Sequence, residues 1–160
     1  MDPTQLAGIG AFGGAALACF CVRQRSWLVI GAINAGLALE CVLSLRHRKH
    51  DIVLDVMGAY YDTRTGVQIG LIIVALLIVL GGTIILLRRK SRAVPPAVLA
   101  TTGLALALFS VETISLHVVD AFFYQTIAGL LLIGWMWIAL GLITAIGALR
   151  AISRQGNVKA

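Results

Sequence analysis

Five long apolar segments dominate the chain and limit the folds that are open to it. Each is about as long as the ~20 residues that an α-helix needs to cross the hydrocarbon core of a bilayer. Charged residues make up only 12% of the sequence, against about 25% in a soluble domain, so the chain has too few polar groups to cover a surface in water. We therefore predict an all-α integral membrane protein that forms a single domain over residues 1–160, with no soluble domain. Its five transmembrane helices are predicted at residues 5–22, 27–45, 66–87, 96–119 and 124–149.

The polar segment at residues 47–62 and the glycines of the first span fit the same architecture. The middle of 47–62 is amphipathic at helical spacing, so we predict that it lies along the outer membrane surface.

The first span contains the dinucleotide fingerprint Gly-x-Gly-x-x-Gly from Gly8 to Gly13, but there is no room for the strand that must precede it in a nucleotide-binding unit. Gly10 and Gly14 instead have the spacing of a small-residue face that allows close helix packing.

Basic residues gather at the ends of the apolar segments and predict the orientation. With five spans, nine of them fall on one side: Arg23, Arg25, Arg88, Arg89, Lys90, Arg92, Arg150, Arg154 and Lys159. Four fall on the other: Arg46, Arg48, Lys49 and Arg64. An excess of Lys and Arg marks the cytoplasmic face, which predicts a bacterial inner-membrane protein with a periplasmic N-terminus and a cytoplasmic C-terminus. Because topology accounts for the net charge of +6, we predict no nucleic-acid partner.

The acids and histidines are predicted to gather on the opposite, outer side. The fourth span ends in Glu112, His117 and Asp120, and the second ends in a weak copy of this pattern. The copy consists of Glu40, His47, His50 and Asp51. Ionisable groups are expensive in a membrane and are usually functional. Imidazole together with carboxylate suits zinc, iron or manganese, so these seven residues form a candidate metal or cofactor site.

Several functions stay compatible with this pattern. A histidine could instead contact haem, a quinone or a pigment, and each carboxylate could serve only as a structural ion pair or hydrogen bond. The favoured hypothesis is a membrane protein with a periplasmic-side metal or redox-cofactor site, and the sequence leaves open whether it is an enzyme. The alternative is a non-catalytic accessory or assembly subunit of a larger membrane complex. A homo-oligomer and a transporter with Glu40 and Glu112 as relay groups are further possibilities.

Overall fold

The computed structural model describes residues 2–43, 64–88, 94–114 and 121–157, and this part of the chain is mostly helical. The helices are α1 (Pro3–Phe20), α2 (Arg25–Leu43), α3 (Arg64–Arg88), α4 (Pro96–Ile114) and α5 (Leu132–Asn157). Two short antiparallel strands, β1 (Thr126–Ile127) and β2 (Leu130–Leu131), form a hairpin just before α5. The helical class is therefore as predicted, and the hairpin is an addition that the sequence did not reveal.

Three of the helices are long and apolar enough to cross a membrane: Pro3–Phe20, Arg25–Leu43 and Leu132–Gly156. Within the described residues, α3 and α4 contain shorter apolar stretches, Ile72–Ile85 and Pro96–Glu112. These helices indicate a membrane protein. The predicted surface segment 47–62 lies outside the described residues.

The fifth predicted span begins too early. Residues 124–131 are apolar enough to resemble the start of a transmembrane helix, but the chain turns back at Ala128 and Gly129, whose φ angles are +50° and +84°. Two successive positive φ angles suit a type I′ hairpin turn and interrupt a right-handed helix. The helix accordingly starts at Leu132 and extends to Asn157.

Successive helices run in opposite directions. At one end of α1, Gly8 lies against Cys41 of α2, and at the other end Phe20 of α1 packs on Gly31 of α2. Thr83, near the end of α3, packs against Gly103 in the first half of α4. The α1 and α5 helices, in contrast, are parallel neighbours, with Thr4 against Gly134, Gly8 against Trp137, and Ala11 against Gly141.

This arrangement gives the bundle two chemically different ends. The end with the start of α1 and the C-terminal ends of α2 and α4 holds Asp2, Glu40 and Glu112, which are all the acids of the described residues. We call it the acidic end. The opposite, basic end holds Arg23, Arg25, Arg150 and Arg154. Residues 2 and 157 therefore lie at opposite ends of the bundle.

Two hydrophobic clusters hold α1, α2, α4 and α5 together. Towards the acidic end, Phe109 of α4 stacks on Trp137 of α5 with ring centroids 5.2 Å apart, and Phe12 of α1 meets Phe109 edge-on at 5.5 Å. Towards the basic end, the cluster centres on fully buried Trp27. Its other members are Cys19, Val22, Ile30, Val94, Val98 and Ala148. The rings fix the spacing of the helices because aromatic side chains bury large, rigid surfaces.

Candidate functional site

Glu112 is a buried carboxylate near the end of α4. Its side chain is only 4% exposed. The position follows from helical periodicity, because Leu108 and Phe109 lie four and three residues earlier on the same buried face of α4. A carboxylate that continues an apolar helix face is costly to bury unless a local interaction compensates for it. The burial of Glu112 therefore marks this end of α4 as a candidate functional site.

A pocket opens beside Glu112 at the acidic end of the bundle. Its cavity measures about 190 Å³ and is partly open to the outside. The walls come from the first turn of α1, the end of α4, the hairpin and the start of α5. The lining residues are Asp2, Thr4, Gln5, Glu112, Tyr124, Leu131 and Ile133. Five residues with polar side chains and two apolar residues thus line a small cavity.

The first turn of α1 is held in place by its own capping interactions. Asp2 is the N-cap residue, and its Oδ1 accepts a hydrogen bond from the Thr4 backbone N–H at 3.3 Å. The Gln5 side chain completes a capping box by accepting from the Asp2 backbone N–H at 3.3 Å. Because a capping box satisfies otherwise orphaned backbone donors, the two pocket residues are fixed by local sequence alone.

Thr4 connects this turn to the hairpin. Its Oγ1 accepts a hydrogen bond from the Leu131 backbone N–H at 3.2 Å, across 127 residues of sequence. Its methyl group packs on Gly134, where a Cβ would come within 2.8 Å of Thr4 Cγ2. One buried threonine therefore joins α1, β2 and α5 at the pocket.

Glu40 lies at the same end but outside this pocket. It is half-buried on α2, next to Cys41, which packs into the core against Gly8 of α1. The structure thus places Glu40 and Glu112 on different helices at one end of the bundle. Only Glu112 lines the pocket.

The other five candidate site residues lie outside the described residues. They are His47, His50, Asp51, His117 and Asp120. Within residues 2–43, 64–88, 94–114 and 121–157, no group of three or more His, Cys, Asp or Glu side chains is arranged to hold a metal ion. The metal site therefore remains a prediction.

The glycines that pack most closely against other helices are not the pair that the sequence suggested. Gly10 and Gly14 are exposed, and a Cβ at either would meet nothing within 4 Å in the described part of the chain. The close approach occurs on the neighbouring face of α1, which contains Gly8 and Ala11. There, a Cβ on Gly8 would lie 2.7 Å from Cys41 Sγ, and a Cβ on Gly141 would lie 2.7 Å from the Ala11 carbonyl oxygen. The signal that could have found this face is the run of small residues at positions 4, 8, 11 and 15.

Four polar pocket residues were also missed by sequence reasoning: Asp2, Thr4, Gln5 and Tyr124. Asp2 and Gln5 form a recognisable capping box, but nothing in their spacing relates them to Glu112. Tyr124 follows Phe122 and Phe123, and such an aromatic cluster is typical of a membrane interface. Their convergence depends on the parallel packing of α1 and α5, which the sequence does not specify.

Comparison with known proteins gives no relative for this chain. No family model, no curated protein and no solved structure matches it.

Proposed function

We propose that this chain is a small multi-pass protein of the bacterial inner membrane that binds a cation at its acidic end, with a divalent metal ion as the first candidate. The observation that carries the proposal is the burial of Glu112, at 4% exposure, in the wall of a pocket that Asp2 and Gln5 also line. A membrane protein that retains a carboxylate at such a position commonly uses it for a ligand.

The chemistry of the lining favours a cation. Carboxylate, amide and hydroxyl oxygens are acceptors that suit hard divalent cations, and imidazole widens the choice to zinc, iron or manganese. The chain leaves α2 at Leu43 and enters α3 at Arg64, both at the acidic end, so the segment carrying His47 and His50 is attached there at both sides. His117 follows shortly after α4 ends at Ile114. These connections support the histidines as further ligands.

The size of the pocket favours an ion over a large cofactor. Pockets for drug-sized ligands measure roughly 300–1,000 Å³, whereas this cavity measures about 190 Å³. An ion with a few bound waters, at about 30 Å³ for each water, fits the available space. Haem, a quinone or a pigment would need the pocket to widen, so these cofactors are the weaker proposal.

The orientation of the site follows from the charges. Arg23, Arg25, Arg150 and Arg154 gather at the basic end, and the positive-inside rule assigns such an end to the cytoplasm. The pocket then opens towards the periplasm, where it meets ions before they enter the cell.

Metal binding by purified protein tests the proposal. The wild-type chain in detergent is dialysed against Zn²⁺, Mn²⁺ or Fe²⁺, and the bound metal is measured by elemental analysis. We expect one site per chain. Glu112→Gln keeps the shape but removes the charge, and we expect it to weaken binding on the order of tenfold or more, by analogy with the loss of groups that support metal ligands.

Glu40→Gln is the informative comparison. If the pocket alone forms the site, this variant binds almost as tightly as wild type. If the two helix ends act together, as the sequence pattern predicts, it weakens binding as much as Glu112→Gln does. Equal helical circular dichroism of both variants excludes misfolding. A wild-type chain that binds none of the three ions would refute the proposed function.

The alternative function, an accessory or assembly subunit, is favoured by a different observation. The exposed Gly10 and Gly14 leave one face of α1 open to a partner helix from this or another protein. Replacing Gly14 with Leu should release such a partner in native gels without affecting metal binding. A wild-type chain that migrates alone as a monomer in mild detergent would argue against this alternative.

A further inference from the structure

The hairpin before α5 exposes more apolar surface than a turn in water normally does. Ile127 in β1 is 48% exposed, and Trp135 in the first turn of α5 is 42% exposed. Ala128 and Gly129 at the tip are also exposed and carry no polar side chain. Hairpin turns in soluble proteins commonly use polar residues such as Asn or Asp at these positions. The composition of this tip is suited to an apolar surrounding.

Several backbone groups of the hairpin have partners within the protein, as a position at the edge of the membrane requires. Non-helical backbone that lipid surrounds does not occur within the hydrocarbon core. Here Leu131 N–H donates to Thr4 Oγ1 at 3.2 Å, and Leu132 N–H donates to the Gln125 carbonyl at 2.8 Å. The strands pair Thr126 with Leu131 and Ile127 with Leu130.

Trp135 contributes a further hydrogen bond. Its indole N–H donates to the Ile127 carbonyl at 2.9 Å. The bond folds the hairpin back along the first turn of α5, because the indole lies on that turn. It also leaves the exposed part of the ring apolar, since the donor is already used within the protein. A tryptophan with a satisfied N–H can contact lipid without losing a hydrogen bond.

The depth of this turn follows from the length of α5. Leu132 and Arg150 are 18 residues apart, which corresponds to about 27 Å along a helix. The hydrocarbon core is about 30 Å thick. If Arg150 marks the boundary at the basic end, then Leu132 lies near the opposite boundary of the hydrocarbon region, and the hairpin beside it lies at the membrane interface.

We propose that residues 126–135 form a hairpin at the membrane interface of the acidic end, where the exposed side chains of Ile127, Ala128 and Trp135 contact the upper parts of the lipid acyl chains. This inference rests on the membrane insertion proposed above and does not depend on the metal site. The hairpin then separates the pocket from lipid on one side, with Leu131 facing the cavity and Ile127 facing the acyl chains.

Cysteine labelling in lipid vesicles tests the proposal. A Cys21→Ser chain removes the exposed native thiol and keeps the buried Cys19 and Cys41. Three cysteines are added to it one at a time: Ile127→Cys at the hairpin, Leu142→Cys on the exposed middle of α5, and Arg23→Cys in the turn at the basic end. Permeabilised vesicles are treated with a sulfonated maleimide, which reacts with thiolates in water.

We expect Ile127→Cys to react at least tenfold more slowly than Arg23→Cys, at a rate similar to that of Leu142→Cys. All three should react fully in denaturing detergent. If Ile127→Cys reacts as fast as Arg23→Cys while Leu142→Cys is protected, the hairpin is in water and the inference is wrong. If Leu142→Cys also reacts rapidly, the chain does not span the membrane, and this inference fails together with the membrane placement in the proposed function.

Fluorescence gives a second readout without added cysteines. Trp27 and Trp137 are fully buried, so Trp135 is the tryptophan that surrounding lipid can reach. Lipids brominated on the upper acyl chain should quench wild-type protein more than Trp135→Phe. Quenching of the Trp135 signal by aqueous iodide, with no effect of brominated lipid, would overturn the proposal.

Discussion

The helices pack together closely at the basic end of the bundle and less closely at the acidic end. At the basic end, α1, α2, α4 and α5 close around Trp27, and the nearby threonines of α4 donate to the helix itself, as Thr102 Oγ1 does to the Val98 carbonyl at 2.8 Å. At the acidic end, the helices stop short of full closure. A hairpin and a capped first turn complete the wall and leave a cavity beside Glu112. The basic end is therefore closely packed, whereas the acidic end contains a cavity beside a buried carboxylate.

The largest expected loss of stability comes from removing the tryptophan side chain at the centre of the basic end. Trp27→Ala removes a fully buried side chain and should destabilise the bundle by about 3–5 kcal/mol, the usual cost of a buried aromatic truncated to alanine. Trp135→Ala, at the acidic end, removes a ring that is 42% exposed and should cost much less. Thermal unfolding in detergent measures both. Equal losses would contradict the contrast between a packed and an open end.

A smaller effect is expected where α1 meets α5 between the two ends. A Cβ on Gly141 would lie 2.7 Å from the Ala11 carbonyl oxygen and 2.8 Å from its Cβ. Gly141→Ala must therefore push the helices apart, at a cost of about 1–3 kcal/mol. Gly14→Ala meets open space and should be neutral or stabilising, because alanine favours a helix over glycine by about 1 kcal/mol.

The same pair of variants also tests how the pocket is held. Because α1 and α5 provide opposite walls, Gly141→Ala should weaken ligand binding at Glu112 as well as stability. A destabilised variant that binds the ion with unchanged affinity would show that the acidic end is independent of the α1–α5 contact.

The helices could be predicted because each depends on local sequence. Asp2, Pro3 and Gln5 mark the start of α1, and Arg23 and Arg25 mark the turn before α2. The burial of the acidic end depends on distant partners, so it could not be predicted. Glu112 was recognised by its apolar neighbours, but its pocket partners Asp2 and Tyr124 become neighbours only when α1 packs parallel to α5.

Two further differences have physical reasons. The hairpin was missed because Thr126 to Leu131 is as apolar as a transmembrane helix, and its turn uses Ala128 in place of the Asn or Gly that usually marks a type I′ turn. Trp27 follows Arg23 and Arg25, a position typical of a tryptophan that anchors a span at the membrane interface. It is instead fully buried, because it fills the space where four helix ends meet. Hydropathy indicates that a segment is apolar but does not indicate whether lipid or protein surrounds it.

A pair of threonines offers the finest comparison of the two ends. Thr4→Val at the acidic end removes the acceptor of the Leu131 N–H, and a buried donor left without a partner costs about 1–3 kcal/mol. Thr101 at the basic end donates to the Ala97 and Val98 carbonyls and pairs with Thr144 at 3.2 Å. The helix provides those carbonyls with other donors, so Thr101→Val should cost about 0.5–1.5 kcal/mol, the net value of an ordinary hydrogen bond. Denaturant unfolding of both variants measures the difference.

Maleimide labelling of Ile127→Cys gives a second readout for the same two variants. If Thr4→Val speeds the labelling and Thr101→Val does not, then the bond from Thr4 to Leu131 holds the hairpin against the bundle. Equal effects of the two variants on stability and labelling would mean that the hairpin is held by its lipid contacts alone.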